Sequence, residues 1–222
     1  MWRHGVVLVV ATAGLVGCTT TTTAPTAAAF TADQVRTAVD QAMTGASAVH
    51  VKGYIHRNSQ DQTVDMHLNK TSASGIVDPG TGIDAMPVLF TNGVAYFQWT
   101  QQSLGFPPVG DLDKWLPSTD PTNGASLAQF CSPWYDYALF QRNIVTGLII
   151  GKVGPAGAAV VNGVRTLVFK DAIGDTLSVA ESAPHYLIRY VGGRTNPGTL
   201  DFTEWNRQTP VAPPPASEQF TS

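Results

Sequence analysis

The chain has 222 residues, enough at roughly 100–200 residues per domain for one domain with a sizeable core. Hydrophobic residues make up 43% and charged residues 13%, which argues against a disordered, charge-solvated chain. Thirteen Lys and Arg face sixteen Asp and Glu, a net charge of −3 with no basic run, so no nucleic-acid partner is expected. The 21 Gly and 15 Pro point to many turns and a sheet-rich domain.

Met1 to His4 carries one Arg, and Gly5 to Val16 is an uncharged, largely apolar run, shorter than the ~20 residues a membrane-spanning helix needs. This order reads as a secretory signal peptide over residues 1–17. The run ends at Leu15-Val16-Gly17-Cys18, which resembles the lipobox of bacterial lipoproteins. That resemblance implies cleavage before Cys18 and a diacylglyceryl group on its thiol, with the new amino group open to acylation. Two acyl chains give stable anchoring where one is marginal, so the expected location is the cell membrane, lipid-anchored on its extracytoplasmic face. A thioether at Cys18 leaves Cys131 unpaired; no His or basic residue lies close in sequence, and it reads as a small buried hydrophobe. Residues 18–30 then hold the acylated Cys and a Thr/Ala/Pro tether with nothing to pack, residues 31–215 form the domain, and residues 216–222 form a flexible tail.

Thr31-Ala32-Asp33-Gln34 is a capping-box pattern, and Val35, Ala38, Val39, Ala42 and Met43 follow at helical spacing, with Gly45 as a stop. Strands follow: Val49 to Ile55 and Val64 to Leu68 alternate apolar with polar residues across a polar turn, Asn58 to Gln62. Met86 to Phe90 and Val94 to Trp99 flank Asn92-Gly93, and Val160-Val161 and Val164 to Phe169 flank Asn162-Gly163, the strongest short-range hairpin signal. A two-residue turn at Asn92-Gly93 sets Thr91 opposite Val94, Phe90 opposite Ala95, Val88 opposite Phe97 and Met86 opposite Trp99, so that one apolar face collects Met86, Val88, Phe90, Phe97 and Trp99 while the other carries Leu89, Tyr96 and Gln98. Ser132-Pro133 is a helix start, with Trp134, Tyr137, Phe140, Ile144 and Leu148 recurring behind it and a shorter helix near Ser126 to Phe130. Further strands are expected at Thr176 to Ala180, Tyr186 to Val191 and Leu200 to Trp205. The expected class is α+β, one long antiparallel sheet wrapped by a few helices.

Catalytic patterns are missing from the sequence: it has no G-x-S-x-G, H-E-x-x-H, C-x-x-C, P-loop or G-x-G-x-x-G. Among the histidines, His50 and His56 point to one side of their strand and His67 can join from its neighbour. Residues six apart on a strand are roughly 20 Å apart, so at most two of the three reach one ion. No catalytic residue, metal site or cofactor is therefore expected.

The order of elements resembles the LppX/LprAFG family of mycobacterial lipoproteins, with a fold similar to LolA and LolB. The resemblance rests on the first helix with Ser47-Ala48-Val49-His50-Val51-Lys52-Gly53, on Thr91-Asn92-Gly93-Val94-Ala95-Tyr96, on Leu112-Asp113-Lys114-Trp115, on Val161 to Thr166 and on Phe202-Thr203-Glu204-Trp205. The segment Thr71 to Pro87 and the loop Phe106 to Gly110 fit it less well. It implies a curved half-barrel sheet roofed by helices, and a non-enzymatic carrier of acylated lipids or lipoglycans. On that reading Met66, Leu68, Val88, Phe90, Phe97, Ile144 and Leu148 are candidates to line an apolar slot. Membrane, a lipid or lipoglycan ligand and an envelope protein are the expected partners. The alternative is an interaction or regulatory lipoprotein with a filled core and no ligand cavity.

Overall fold

The computed structural model describes residues 30–57, 59–80, 85–98, 112–121, 123–145, 153–194 and 197–220. Cys18, Trp99 and Leu148 lie outside the described residues. The first helix, α1 (Ala32–Gly45), opens on the expected capping box: Thr31 Oγ1 accepts from Gln34 N at 3.3 Å, and Gln34 Oε1 accepts from Thr31 N at 2.8 Å. Val35, Val39, Ala42 and Met43 form its buried stripe. Phe30, expected in the tether, packs edge-on against Phe169 with centroids 6.4 Å apart.

Eleven strands follow: β1 (Ala48–Arg57), β2 (Gln60–Asn69), β3 (Ser72–Asp78), β4 (Met86–Thr91), β5 (Val94–Gln98), β6 (Trp115–Pro117), β7 (Gly154–Val161), β8 (Val164–Lys170), β9 (Thr176–Ala180), β10 (Leu187–Gly192) and β11 (Gly198–Thr203). They form one sheet in the order β6-β5-β4-β3-β2-β1-β11-β10-β9-β8-β7. Every pairing is antiparallel. Two meanders, β1–β6 and β7–β11, therefore meet at a seam where β1 pairs with β11, with His50 opposite Thr203 and Val51 opposite Phe202. The sheet is open and curved, in an α+β architecture.

The Asn92-Gly93 turn takes the positive φ values of a tight hairpin, 53° and 78°, and sets the expected pairs Val88–Phe97, Phe90–Ala95 and Thr91–Val94. At Gly53 (φ 146°) a Cβ would stand 1.9 Å from Thr199 O, and at Gly75 (φ 155°) 2.1 Å from Asp65 O. The neighbouring backbones come so close there that no side chain fits, the kind of glycine kink that bends a sheet.

Two helices depart from expectation. α2 (Gly124–Tyr135) contains Pro133 in its last turn rather than starting there, and α3 (Tyr137–Asn143) follows after Asp136. Proline has no N–H for the Gln129 carbonyl, and the Ser132 hydroxyl donates to that oxygen at 3.4 Å instead. Asp136 ends α2 in an extended conformation and caps α3, its carboxylate accepting from Ala138 N at 2.9 Å and Leu139 N at 3.1 Å. β3 and β6 were also unforeseen: β3 has small residues where strands usually carry large ones, and β6 is three residues long. Residues 216–218 form a short 3-10 helix. Gln219 pairs with Trp115, and Phe220 N donates to Trp115 O at 2.9 Å, which covers the β6 edge.

Candidate functional site

The inner face of the sheet is apolar from β6 to β8. Leu116, Phe97, Val88, Val77, Met66, Val51, Phe202, Leu177 and Phe169 are all buried on it. α1, α2 and α3 cover this face: Phe140 of α3 lies 6.2 Å from Phe202, and Tyr135 of α2 stacks on Phe90 at 5.2 Å. Of the expected lining residues, Met66, Leu68 and Phe97 are 0% exposed, Val88 1% and Ile144 3%, while Phe90 is half-buried. Burial this complete leaves no water-sized space against those five side chains. A cleft of about 10 Å³ between α1 and β8–β9, bounded by Phe30, Val35, Phe169 and Val179, is at the threshold for a single water. Among the described residues, the sheet and its helices thus meet as a packed core.

The polar atoms of this layer bond internally. Tyr135 OH donates to Ala128 O at 3.2 Å, Tyr137 OH to Met43 O at 2.8 Å, and Tyr190 OH to Asp175 Oδ2 at 3.1 Å. Burial pushes the Tyr135 and Tyr137 hydroxyls up to about 12. Cys131 is fully buried in the same layer, and burial alone pushes its thiol up to about 12, so it stays protonated and inert. A wider depression of about 460 Å³ between Lys170–Gly174 and Gly193–Arg194 is open and polar, and Asp171 Oδ1 there already accepts from Ile173 N, Gly174 N and Asp175 N.

The outer face carries the titratable groups. His50 on β1 stands opposite His67 on β2, and the rings stack with centroids 4.0 Å apart and planes 12° from parallel. His50 Nε2 lies 2.7 Å from Asp65 Oδ1, and Lys52 Nζ lies 2.6 Å from Asp65 Oδ2. Burial works to raise the Asp65 pKa, but the hydrogen bonds from Lys52 and His50 outweigh it and hold the carboxyl below its ordinary value of 3.8. His50 Nδ1 meets Thr203 Oγ1 at 3.2 Å, and Glu204 Oε2 comes within 3.7 Å of His67 Nδ1. His56 is remote from this group and pairs with Asp61 at 2.8 Å. The expected limit of two histidines holds, but Glu204 adds a third donor that the sequence reading missed. The signal for half of the cluster was local: β1 pairs with β2 already at Arg57 and Gln60, closer than the expected turn of Asn58 to Gln62, and this register sets His50 opposite His67.

No family model matches the chain, and no curated protein matches it in sequence. Among solved structures, LprF from Mycobacterium bovis matches at TM-score 0.56 and 16% identity, over 82% of this chain and 96% of that one. The Mycobacterium tuberculosis lipoprotein LppX matches at TM-score 0.51 and 14% identity, over 80% of this chain and 96% of that one. The chain has the fold of LprF and LppX. The LppX-like fold accounts for the open antiparallel sheet and its helical cover. Among the described residues, no helix is long and apolar enough to cross a membrane.

Proposed function

We propose that this chain is a lipid-anchored lipoprotein of the cell envelope that holds or carries the acyl chains of lipids or lipoglycans between its sheet and its helices, without catalysis. The observation that carries this reading is the inner face itself: an apolar surface spanning most of an LppX-like sheet, with its tyrosine hydroxyls already bonded. Such a surface matches hydrocarbon and little else, and each CH₂ taken from water is worth about 0.8 kcal/mol. Loading replaces helix-to-sheet contacts with chain-to-sheet contacts, and Asp136 is the break in the cover where α2 and α3 can part. Cys18 supplies the anchor and the Thr-rich run after it the tether.

A second reading has its own observation, the 0–3% exposure of Met66, Leu68, Val88, Phe97 and Ile144. On it the core is permanently filled, and the domain acts by holding an envelope protein at the membrane. Native mass spectrometry of a chain made without residues 1–18 separates the two. The carrier reading expects copurified lipid, or uptake of a long-chain fatty acid or phospholipid offered in micelles; no lipid found and none loaded defeats it. Phe97→Trp and Val88→Trp sharpen the result: a carrier loses loading and keeps its fold, whereas a closed core loses about 1–3 kcal/mol of stability to overpacking.

A further inference from the structure

We propose that His50, His67 and Glu204 form a binding site for one divalent transition-metal ion of the zinc class, clipping the seam between the two halves of the sheet. The site lies on the outer face and is independent of the lipid reading. One donor atom from each residue lies within 4.8 Å of the other two. Two imidazole nitrogens and a carboxylate oxygen are a donor set that zinc accepts, leaving a fourth position for water at a partly exposed surface.

His50 is prepared for this role by its neighbours. Asp65 Oδ1 stands 2.7 Å from His50 Nε2, so a His50 ring that donates to it through Nε2 keeps its lone pair on Nδ1, where it meets the Thr203 hydroxyl at 3.2 Å. A carboxylate behind a ligating histidine fixes the tautomer and raises ligand basicity, as it does in established zinc sites. Lys52 is bound to the other oxygen of Asp65, so its charge is offset before it reaches the ion.

His67 supplies the observation that asks for a ligand. Its Nδ1 is screened from solvent and has no hydrogen-bond partner among the described residues, and the Glu204 oxygen at 3.7 Å is too far to be one. A buried ring nitrogen without a partner is costly, and a metal ion between it and the carboxylate removes the cost. Glu204 is held in place by its backbone. It adopts φ 50°, a left-handed conformation, in a turn pinned to the start of β1 by Asn206 N donating to Ala48 O at 2.9 Å and by Ser47 N donating to Asn206 Oδ1 at 2.6 Å. Gln208 Nε2 donates to the same Glu204 oxygen. The rings are nearly parallel and 4.0 Å apart, so one ion cannot lie in both ring planes and binding requires one ring to turn. His67 turns, since nothing holds its Nδ1, while His50 is fixed on both nitrogens.

The test is titration of the full chain, purified in detergent and stripped with a chelator, with Zn²⁺ by calorimetry and with Co²⁺ by visible absorption. The expected result is one ion per chain and a Co²⁺ spectrum without a thiolate charge-transfer band. His67→Gln and Glu204→Gln each weaken binding by at least about 10-fold, and Asp65→Asn by about 10- to 100-fold, the range seen for groups behind a ligand. His56→Gln leaves binding unchanged. Substoichiometric binding, or an affinity that survives both His67→Gln and Glu204→Gln, overturns the site. Should His67→Gln fail to fold, Glu204→Gln, which alters an exposed turn, decides alone.

Discussion

The two faces of the sheet solve opposite problems with the same strands. On the inner face, from β6 across the sheet to β8, most side chains at alternate positions are buried, and what holds them is apolar area and fit. On the outer face, the intervening residues of β1, β2, β10 and β11 include charged and imidazole-bearing side chains held by short pairwise contacts: Arg189 grips Asp201 through Nε at 2.6 Å and Nη2 at 2.9 Å, and Lys52 and His50 share Asp65. Stability resides mainly in the first face and addressable chemistry in the second.

Substitutions that break this division have graded effects. Phe202→Ala, on the inner face at the seam, is expected to cost about 3–5 kcal/mol, read as a lower urea midpoint at an unchanged slope. Arg189→Met removes a two-point ion pair that is partly open to water and is expected to cost about 1 kcal/mol or less, shrinking further in high salt. The smallest effect is one of pH. Because the Asp65 carboxyl is held below 3.8 in the folded protein, its contribution is complete above that value and is lost as pH falls through the lower folded pKa. Asp65→Asn has no such group to protonate, so its unfolding midpoint falls less than that of the parent chain between pH 5 and pH 2. An Asp65→Asn profile as steep as the parent's would show that the pair contributes nothing in acid.

Much of the fold was legible because it is local. The capping box at Thr31 and Gln34, the Asn92-Gly93 and Asn162-Gly163 turns and the alternation in β1 and β2 each rest on residues within a few positions of one another. The missing pieces depend on distant partners. β3 is built on Ser72, Ala73 and Gly75, which carry little strand preference, and pairs because β2 and β4 flank it. The helix break at Asp136 reflects a carboxylate cap competing with an apolar repeat that runs straight through it, and periodicity cannot see that competition. The inner face followed from alternation, whereas the outer cluster did not. Glu204 reaches His67 only because the last strand returns to lie beside the first, and no spacing in the chain announces that return.

That return has a consequence in time. His50 and Thr203 are 153 residues apart, and a ribosome adding about 5–20 residues per second takes roughly 8–30 s to make the chain between them. For that interval β1 is an open strand with a row of unpaired backbone groups, the situation in which strands recruit the wrong partner. The half-sheet made first therefore waits for the half made last. Any step that delays or truncates the chain before residue 203 leaves not a smaller domain but an unfinished edge.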